Sequence, residues 1–226
     1  MKNVLLSLSV IAIVAFAACK KSNPAPANSA YVMFVHGCAA GATTINLDGR
    51  ANNATVPGAG NMVFLKNSGY QPVTAASSVA LSFFVTGLNA LNGATESLTA
   101  NAHYTAFAGG SITAPAFVFV ADDITAPASG MAKVRFVNLS PDNLTTSCYI
   151  GTTKVDSNVA YQACTPYIQV APTTAKISMI DQVVLSNSGQ ITSQAIVAGK
   201  IYTFMFTGTA TGSGTSVLAL TAINNN

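Results

Sequence analysis

Seven carboxylates, two histidines and the thiols of Cys38, Cys148 and Cys164 are the side chains with which this chain could do chemistry. A glycosidase needs two carboxyl groups facing each other across a sugar. Here Asp48 precedes Gly49, Asp142 follows Pro141 and Asp156 precedes Ser157-Asn158, so each has a turn role that needs no catalysis. Asp122-Asp123 offers oxygens of the kind calcium accepts, although a turn-rich linker accounts for the pair equally well. His36 and Cys38 share a face if their strand runs straight, and a Cys–His pair can make a nucleophile. Such a dyad also needs an orienting third group and an oxyanion site. GxSxG, HExxH and P-loop patterns are absent, as are CxxC and clustered Cys/His arrays, so no metal or cofactor is expected.

The fourth cysteine carries a different message. Met1-Lys2-Asn3 is a positive start, Val4 to Phe16 an apolar run, and Ala17-Ala18-Cys19 a small-residue cut site. The run is shorter than the ~20 residues a helix needs to cross a bilayer. A cysteine directly after the cut resembles a bacterial lipobox, with Phe16 bulkier than the usual aliphatic residue. Residues 1–18 are therefore expected to be a lipoprotein signal peptide and Cys19 the lipidated first residue. Lys20 to Ala30, KKSNPAPANSA, completes a flexible tether over 19–30. Lys20-Lys21-Ser22-Asn23 contains no acid. Surface-exported Bacteroidetes lipoproteins resemble one another in having acids there, so the periplasmic face of the outer membrane is expected.

Export places the chain where disulfides persist. Cys148 and Cys164, 16 positions apart (164 minus 148), are candidates for a bridge worth about 3 kcal/mol in the chain-entropy model. Two buried free thiols are the alternative.

Hydrophobic residues make up 50% of the chain and charged residues only 8%, which predicts a folded domain with an uncharged polar surface. The formal charge of +3 is too small, and the ten basic residues too scattered, for a nucleic-acid partner.

From Tyr31 onward, short β-branched and aromatic runs alternate with Gly, Asn, Pro and Ser, and no helical stripe of ten residues occurs. The runs repeat. Tyr31-Val32-Met33-Phe34-Val35-His36 matches Lys133-Val134-Arg135-Phe136-Val137-Asn138 at a shift of 102 (134 minus 32; Tyr31 itself aligns with Lys133). His103 to Phe107 matches Ile201 to Met205 at a shift of 98 (201 minus 103). This spacing suits two tandem immunoglobulin-like antiparallel β-sandwiches of about seven strands each. The expected modules are 31–121 and 131–226, joined by a linker at 122–130. In the second, Val134 and Phe136 face one way and Lys133 and Arg135 the other, the pattern of a half-buried antiparallel strand. Each module is expected to fold semi-independently.

VRFVNLSPDN (Val134 to Asn143), CYIGTTKVDSNVAY (Cys148 to Tyr161) and YIQVAP (Tyr167 to Pro172) resemble the DUF4397 family. Its opening is similar to V-R-F-[VI]-[HN]-x-S-P-D, with a later V-P-A-G. The resemblance is close over Met131 to Asn226 and looser over Tyr31 to Val120, where His36-Gly37-Cys38-Ala39-Ala40 replaces Asn138-Leu139-Ser140-Pro141-Asp142. It implies tandem β-sandwich modules in exported bacterial proteins, often lipoproteins of the Bacteroidetes type, and no established activity.

The expectation that follows is a non-catalytic outer-membrane lipoprotein, held by its N-terminal lipid and binding a glycan or an envelope protein. Tyr70, Tyr161 and Tyr167 lie near turns and could line a ligand-binding loop surface; packing is the commoner fate of strand aromatics. His103, at the start of a strand run, reads as a solvated edge residue. The alternative function is an envelope hydrolase for glycans or esters, using the loop carboxylates or Cys38.

Overall fold

Runs rich in Val, Ile, Phe and Thr, punctuated by Gly, Asn and Pro, become sixteen strands and, among the described residues, no helix. The computed structural model describes residues 28–40, 44–212 and 217–226. The signal peptide and Cys19 expected from the sequence lie outside the described residues.

The first eight strands are β1 (Ser29–His36), β2 (Leu47–Ala51), β3 (Ala54–Thr55), β4 (Asn67–Thr74), β5 (Val79–Val85), β6 (Ala90–Glu96), β7 (His103–Ser111) and β8 (Ala114–Asp122). The second eight are β9 (Ala132–Asn138), β10 (Thr145–Ile150), β11 (Thr153–Ala160), β12 (Ile168–Val170), β13 (Thr173–Asp181), β14 (Ser188–Ile196), β15 (Ile201–Thr207) and β16 (Ala219–Asn224). They form four sheets: I (β3-β2-β5-β6), II (β4-β1-β7-β8), III (β12-β9-β15-β16) and IV (β11-β10-β13-β14). The strand order of the first half recurs in the second with every number raised by eight.

The chain is thus all-β, with two sandwich-like sheet pairs. Each half has eight strands where about seven were expected. Pairing is antiparallel except for β1 with β7 and β9 with β15, which run parallel. Parallel neighbours need a long connection, and here it is the five intervening strands. Asp122, placed in the linker by its sequence context, is the last paired residue of β8, opposite His103.

Three apolar cores hold the layers. One lies between sheets I and II, built on Val32, Phe34, Leu47, Leu81, Phe83 and Ala106. Another lies between sheets III and IV, built on Val134, Phe136, Cys148, Ile177, Met179 and Phe204. The third joins the halves: Met33, Val35, Phe107 and Val118 of sheet II pack on Val137, Leu139, Met205 and Ile223 of sheet III. Sheets II and III are therefore covered on both faces, and β9 and β15 are buried along their whole length. This corrects two expectations. Lys133 and Arg135 do not face solvent, and the halves are not separate beads but share an apolar core.

Small residues let the sheets approach. A Cβ at Gly37 would stand 2.9 Å from Met205 Sδ and 3.2 Å from Leu139 Cδ1, and one at Gly109 would stand 2.9 Å from Leu139 Cβ. At the shift of 102, Gly37 aligns with Leu139 itself (139 minus 37). A glycine in one half receives the leucine that the other half carries at the matching position. The departure of the first half from the family opening is where the second half docks.

Residues 131–226 expressed alone should expose the third core and the buried Arg135. We expect unfolding at lower denaturant than the intact chain, or aggregation. An isolated half with an unchanged, cooperative midpoint would contradict the shared core.

Candidate functional site

Inside the junction, β8 supplies Asp122 and β9 supplies Arg135, whose side chains are 0% and 2% exposed. Arg135 Nη2 donates to Asp122 Oδ1 at 2.5 Å, and Arg135 Nε donates to Thr203 Oγ1 at 2.9 Å. Thr203 donates to Asn225 Oδ1 (2.8 Å), Asn225 Nδ2 donates to the Tyr70 hydroxyl (3.2 Å), and Tyr70 donates to Asp122 Oδ2 (2.6 Å). The five side chains close a ring across the two halves. Thr105 adds a bond to Asp122 Oδ2 at 2.5 Å, and Tyr167 stacks on the guanidinium with Arg135 Cζ 4.5 Å from the ring centre. Buried charges persist when they are paired and hydrogen-bonded, and this pair is both. Beside it lies a cleft of about 500 Å³ lined by Ala121, Asp123, Arg135, Cys164, Pro166 and Tyr167 among others.

The tyrosines singled out from the sequence all belong to this junction. Tyr70 is a member of the ring, and burial with the neighbouring Asp122 carboxylate raises its pKa. Tyr167 covers Arg135. The Tyr161 hydroxyl lies against β7, 2.7 Å from where a Cβ on Gly110 would be. All three are part-buried at the meeting of the halves, and Tyr167 also lines the cleft. His103 is likewise no edge residue. It lies on β7 between β1 and β8, stacked on Tyr31 at 4.8 Å, and burial lowers its pKa.

The thiols are three free cysteines. Cys148 packs in the core between sheets III and IV, whereas Cys164 bridges Val137 and packs against the inter-half core. Sheet III stands between them, so the bridge expected between Cys148 and Cys164 does not form. Burial pushes the Cys38 thiol up to about 12 and holds the His36 imidazole at about 4, against a smaller opposing effect of the Ile45 carbonyl. His36 Nε2 donates to that carbonyl at 3.2 Å. A buried thiol held protonated and a buried imidazole held neutral do not supply an activated nucleophile.

Six of the seven carboxylates are engaged locally. Asp48 accepts from Asn61 N and Thr86 Oγ1 at 2.8 and 2.9 Å. Asp123 pairs with Lys133 Nζ at 2.6 Å, which with Thr125 holds its carboxyl at about 2. Asp142 accepts from Ala210 N, Asp156 from Ser157 N, and Asp181 from the amides of Val183 and Val184. Asp122 and Asp123 each face a cation of β9 and not each other's ligand set. No group of three His, Cys, Asp or Glu converges among the described residues.

A second region emerges from exposure. β1, β7, β9 and β15 run the same way, with Gly37 level with Leu139. The described residues that follow their C-terminal ends therefore share one end of the molecule, opposite Ser29. Among the described residues nine large apolar side chains are exposed, and eight lie on loops at this end. The first half contributes Val63, Leu88 (71%) and Ile112; the second contributes Leu144 (69%), Val183 (87%), Val184, Leu185 (72%) and Val217. The ninth, Val197, lies at the other end. Asp181 shapes the most prominent tip by accepting the two amides that turn Val183-Val184-Leu185 outward. The sequence signal for it was an unalternating apolar triplet, bracketed by Asp-Gln and Ser-Asn, which no strand face requires.

Fold and site together define a two-sandwich β protein with a locked junction and an apolar loop end. The chain belongs to the DUF4397 family, a domain of unknown function, whose model matches residues 30–145. The match covers the first half and β9, reaching the first residue of β10, whereas the closer resemblance was expected over the second half. No curated protein matches the sequence. Among solved structures, the chain is similar to one from Bacteroides uniformis described as a candidate cell adhesion protein. Identity is 13%, coverage 88% of this chain and 100% of that one, and the TM-score 0.27; at that score the likeness carries no argument.

Three outcomes are expected. Arg135→Met strands a buried carboxylate and should cost about 3–5 kcal/mol in urea unfolding, with Arg135→Met/Asp122→Leu costing less than the sum of the singles. Thiol labelling of unreduced, denatured residues 29–226 should count all three cysteines. His36 has a folded pKa near 4 against 6.5, so its contribution is full above pH 6.5 and is lost as pH falls toward 4. That contribution is about 3 kcal/mol. His36→Asn, which installs the residue of the matching position 138, should flatten this acid loss in melts across that window.

Proposed function

We propose that this chain is a non-catalytic cell-envelope lipoprotein, anchored through Cys19, that binds a partner with the loop end opposite its first strand. The observation that carries the reading is the placement, among the described residues, of eight of nine exposed large apolar side chains at that end. Exposed apolar patches mark interaction sites, and loops on a rigid scaffold are where binding residues collect. The locked junction supplies the rigidity. Membership of the family adds no activity, and the carboxylates and thiols serve turns and cores, which favours binding over hydrolysis.

With the lipid on the N-terminal side, the tether leads to Ser29 and the apolar tips project away from the anchoring membrane. Lys20-Lys21-Ser22-Asn23 favours the periplasmic face of the outer membrane. Cys19→Ala should release the protein from the membrane fraction, and protease added to intact cells should leave the wild type whole. Residues 29–226 immobilised on resin should retain an envelope component that Leu144→Ser/Leu185→Ser fails to retain. Equal retention by both forms would remove the loop end as the binding site, and reproducible hydrolysis abolished by Cys38→Ala would replace the reading with an enzyme.

A further inference from the structure

We infer that the outer face of sheet IV carries a binding site of its own, a cleft that takes one ring of a neutral saccharide. The cleft measures about 420 Å³, within the ~300–1,000 Å³ range of small-ligand sites. β10 and β13 send Cys148, Ile177 and Met179 into the core against sheet III, so the alternate residues Ser147, Tyr149, Ser178 and Ile180 point the other way. Register sets Tyr149 between Ser178 on β13 and Lys154 on β11, and Ser147 beside Ile180.

β11 is bent along this floor. Its pairing with β10 shifts twice, between Thr146 and Cys148 and again between Cys148 and Tyr149. Ser157 and Asn158 both stand opposite Ser147, and Asn158 takes a left-handed backbone with φ 59°. Bulges bend a strand and re-aim its side chains. Lys154, Ser157 and Asn158 line the cleft from this side, and Asp181 and Gln182 line it from the end of β13. Gln182 Nε2 donates to Ser147 Oγ at 3.1 Å, and Leu185 stands among the lining residues.

The first half shows such a face satisfied from within. On the outer side of sheet I, Arg50 stacks on Phe84 with Cζ 3.8 Å from the ring centre and lies 3.6 Å from Asp48. In sheet IV the aromatic and the cation are left open. Among the described residues the Tyr149 side chain has no ring or hydrogen-bond partner, and Lys154 pairs with no acid. Asp181, 4% exposed, uses Oδ1 for the amides of Val183 and Val184, and its Oδ2 has no partner among the described residues.

These groups select the ligand. One cation and one anion share the cleft, so an acidic ligand would face Asp181 and an amine would face Lys154. A hydroxyl suits both, donating to the carboxylate and accepting from the ammonium. Tyr149 and Ile180 supply the flat and apolar surface for the C–H face of a pyranose, while Asn158 and Gln182 can meet its edge. An aliphatic chain would bury these polar groups without partners.

Isothermal titration calorimetry of residues 29–226, which hold every strand, tests this with maltotetraose, cellotetraose, mannotetraose, galactotetraose and chitotetraose, and with tetragalacturonate as the acidic control. At least one neutral sugar should bind at millimolar concentration or below, and more tightly than the control. Tyr149→Ala should weaken that binding about tenfold, the upper size of one aromatic contact. Lys154→Ala and Asn158→Gly should weaken it with unchanged circular dichroism, since both side chains are exposed and glycine accepts the left-handed backbone; these two carry the test if Tyr149→Ala does not fold. No binding by any neutral sugar overturns the inference. Binding that all three variants leave intact also overturns it, by placing the sugar elsewhere. Tighter binding of tetragalacturonate than of every neutral sugar overturns the charge-balanced reading.

Discussion

Sheets II and III each have two buried faces, and the rest of the architecture follows from that constraint. A sheet in an isolated sandwich buries one face and wets the other. Here the outer faces of the two inner sheets meet, so Met33, Val35 and Phe107 find Val137, Leu139 and Met205 where water would otherwise be. The polar groups on those faces must then find protein partners, because a buried unpaired donor or acceptor costs about 1–3 kcal/mol. The ring of Asp122, Arg135, Thr203, Asn225 and Tyr70 meets that demand. Its members come from β4, β8 and β9, from β15, and from the segment just after β16. A buried ion pair is not in itself a strong source of stability over an apolar contact. Its geometry is selective, however, since sliding one sheet by a residue breaks both bonds of the ring that cross between the sheets, Arg135 to Asp122 and Asn225 to Tyr70. Apolar packing drives the halves together, and the ring with the Gly37–Leu139 contact sets their register.

The matching positions make this selectivity asymmetric. Thr105 and Thr203, separated by the same shift of 98 (203 minus 105), bind the acid and the base respectively. Asp122 faces His103 across a strand pair as Asn225 follows Ile201. Asp122 and Asn225 thus occupy related places and meet at the Tyr70 hydroxyl, while Arg135 stands where the first half has Met33 (135 minus 102). Two identical halves would bring acid to acid and leucine to leucine. Divergence at Gly37, Asp122 and Arg135 is what allows them to dock.

Much of the fold was legible in the sequence. The alternation in Ile201 to Thr207, the turn formers at Asp122 to Gly130 and the repeated β-branched runs all correspond to real elements. Alternation reports on one layer only, however. Lys133 and Arg135 looked solvated because polar residues opposite an apolar face usually are, and the sequence contains no mark of a second sheet beyond that face. The same blindness paired Cys148 with Cys164, since chain separation says nothing of the sheet between them. Tyr70, Tyr161 and Tyr167 looked like rim residues because they follow turns, while their packing at the meeting of the halves leaves no trace in the sequence. The apolar tip at Val183-Val184-Leu185 was visible as a triplet without alternation, but only the strand directions placed it beside Leu144 and level with Leu88. Sequence reading found the layers; the contacts between layers decided the site.

The two ends of the molecule consequently differ in kind. One receives the N-terminal segment and carries Lys133, Lys176 and Lys200; the other carries the aliphatic tips. That polarity is meaningful only if the halves move as one body. Differential scanning calorimetry of residues 29–226 measures this most directly, through the ratio of calorimetric to van't Hoff enthalpy. A single transition with a ratio near one is predicted, because the third core and the ring unfold with both halves. Two resolved transitions, or a ratio near two, would contradict a shared core and return the halves to independent modules.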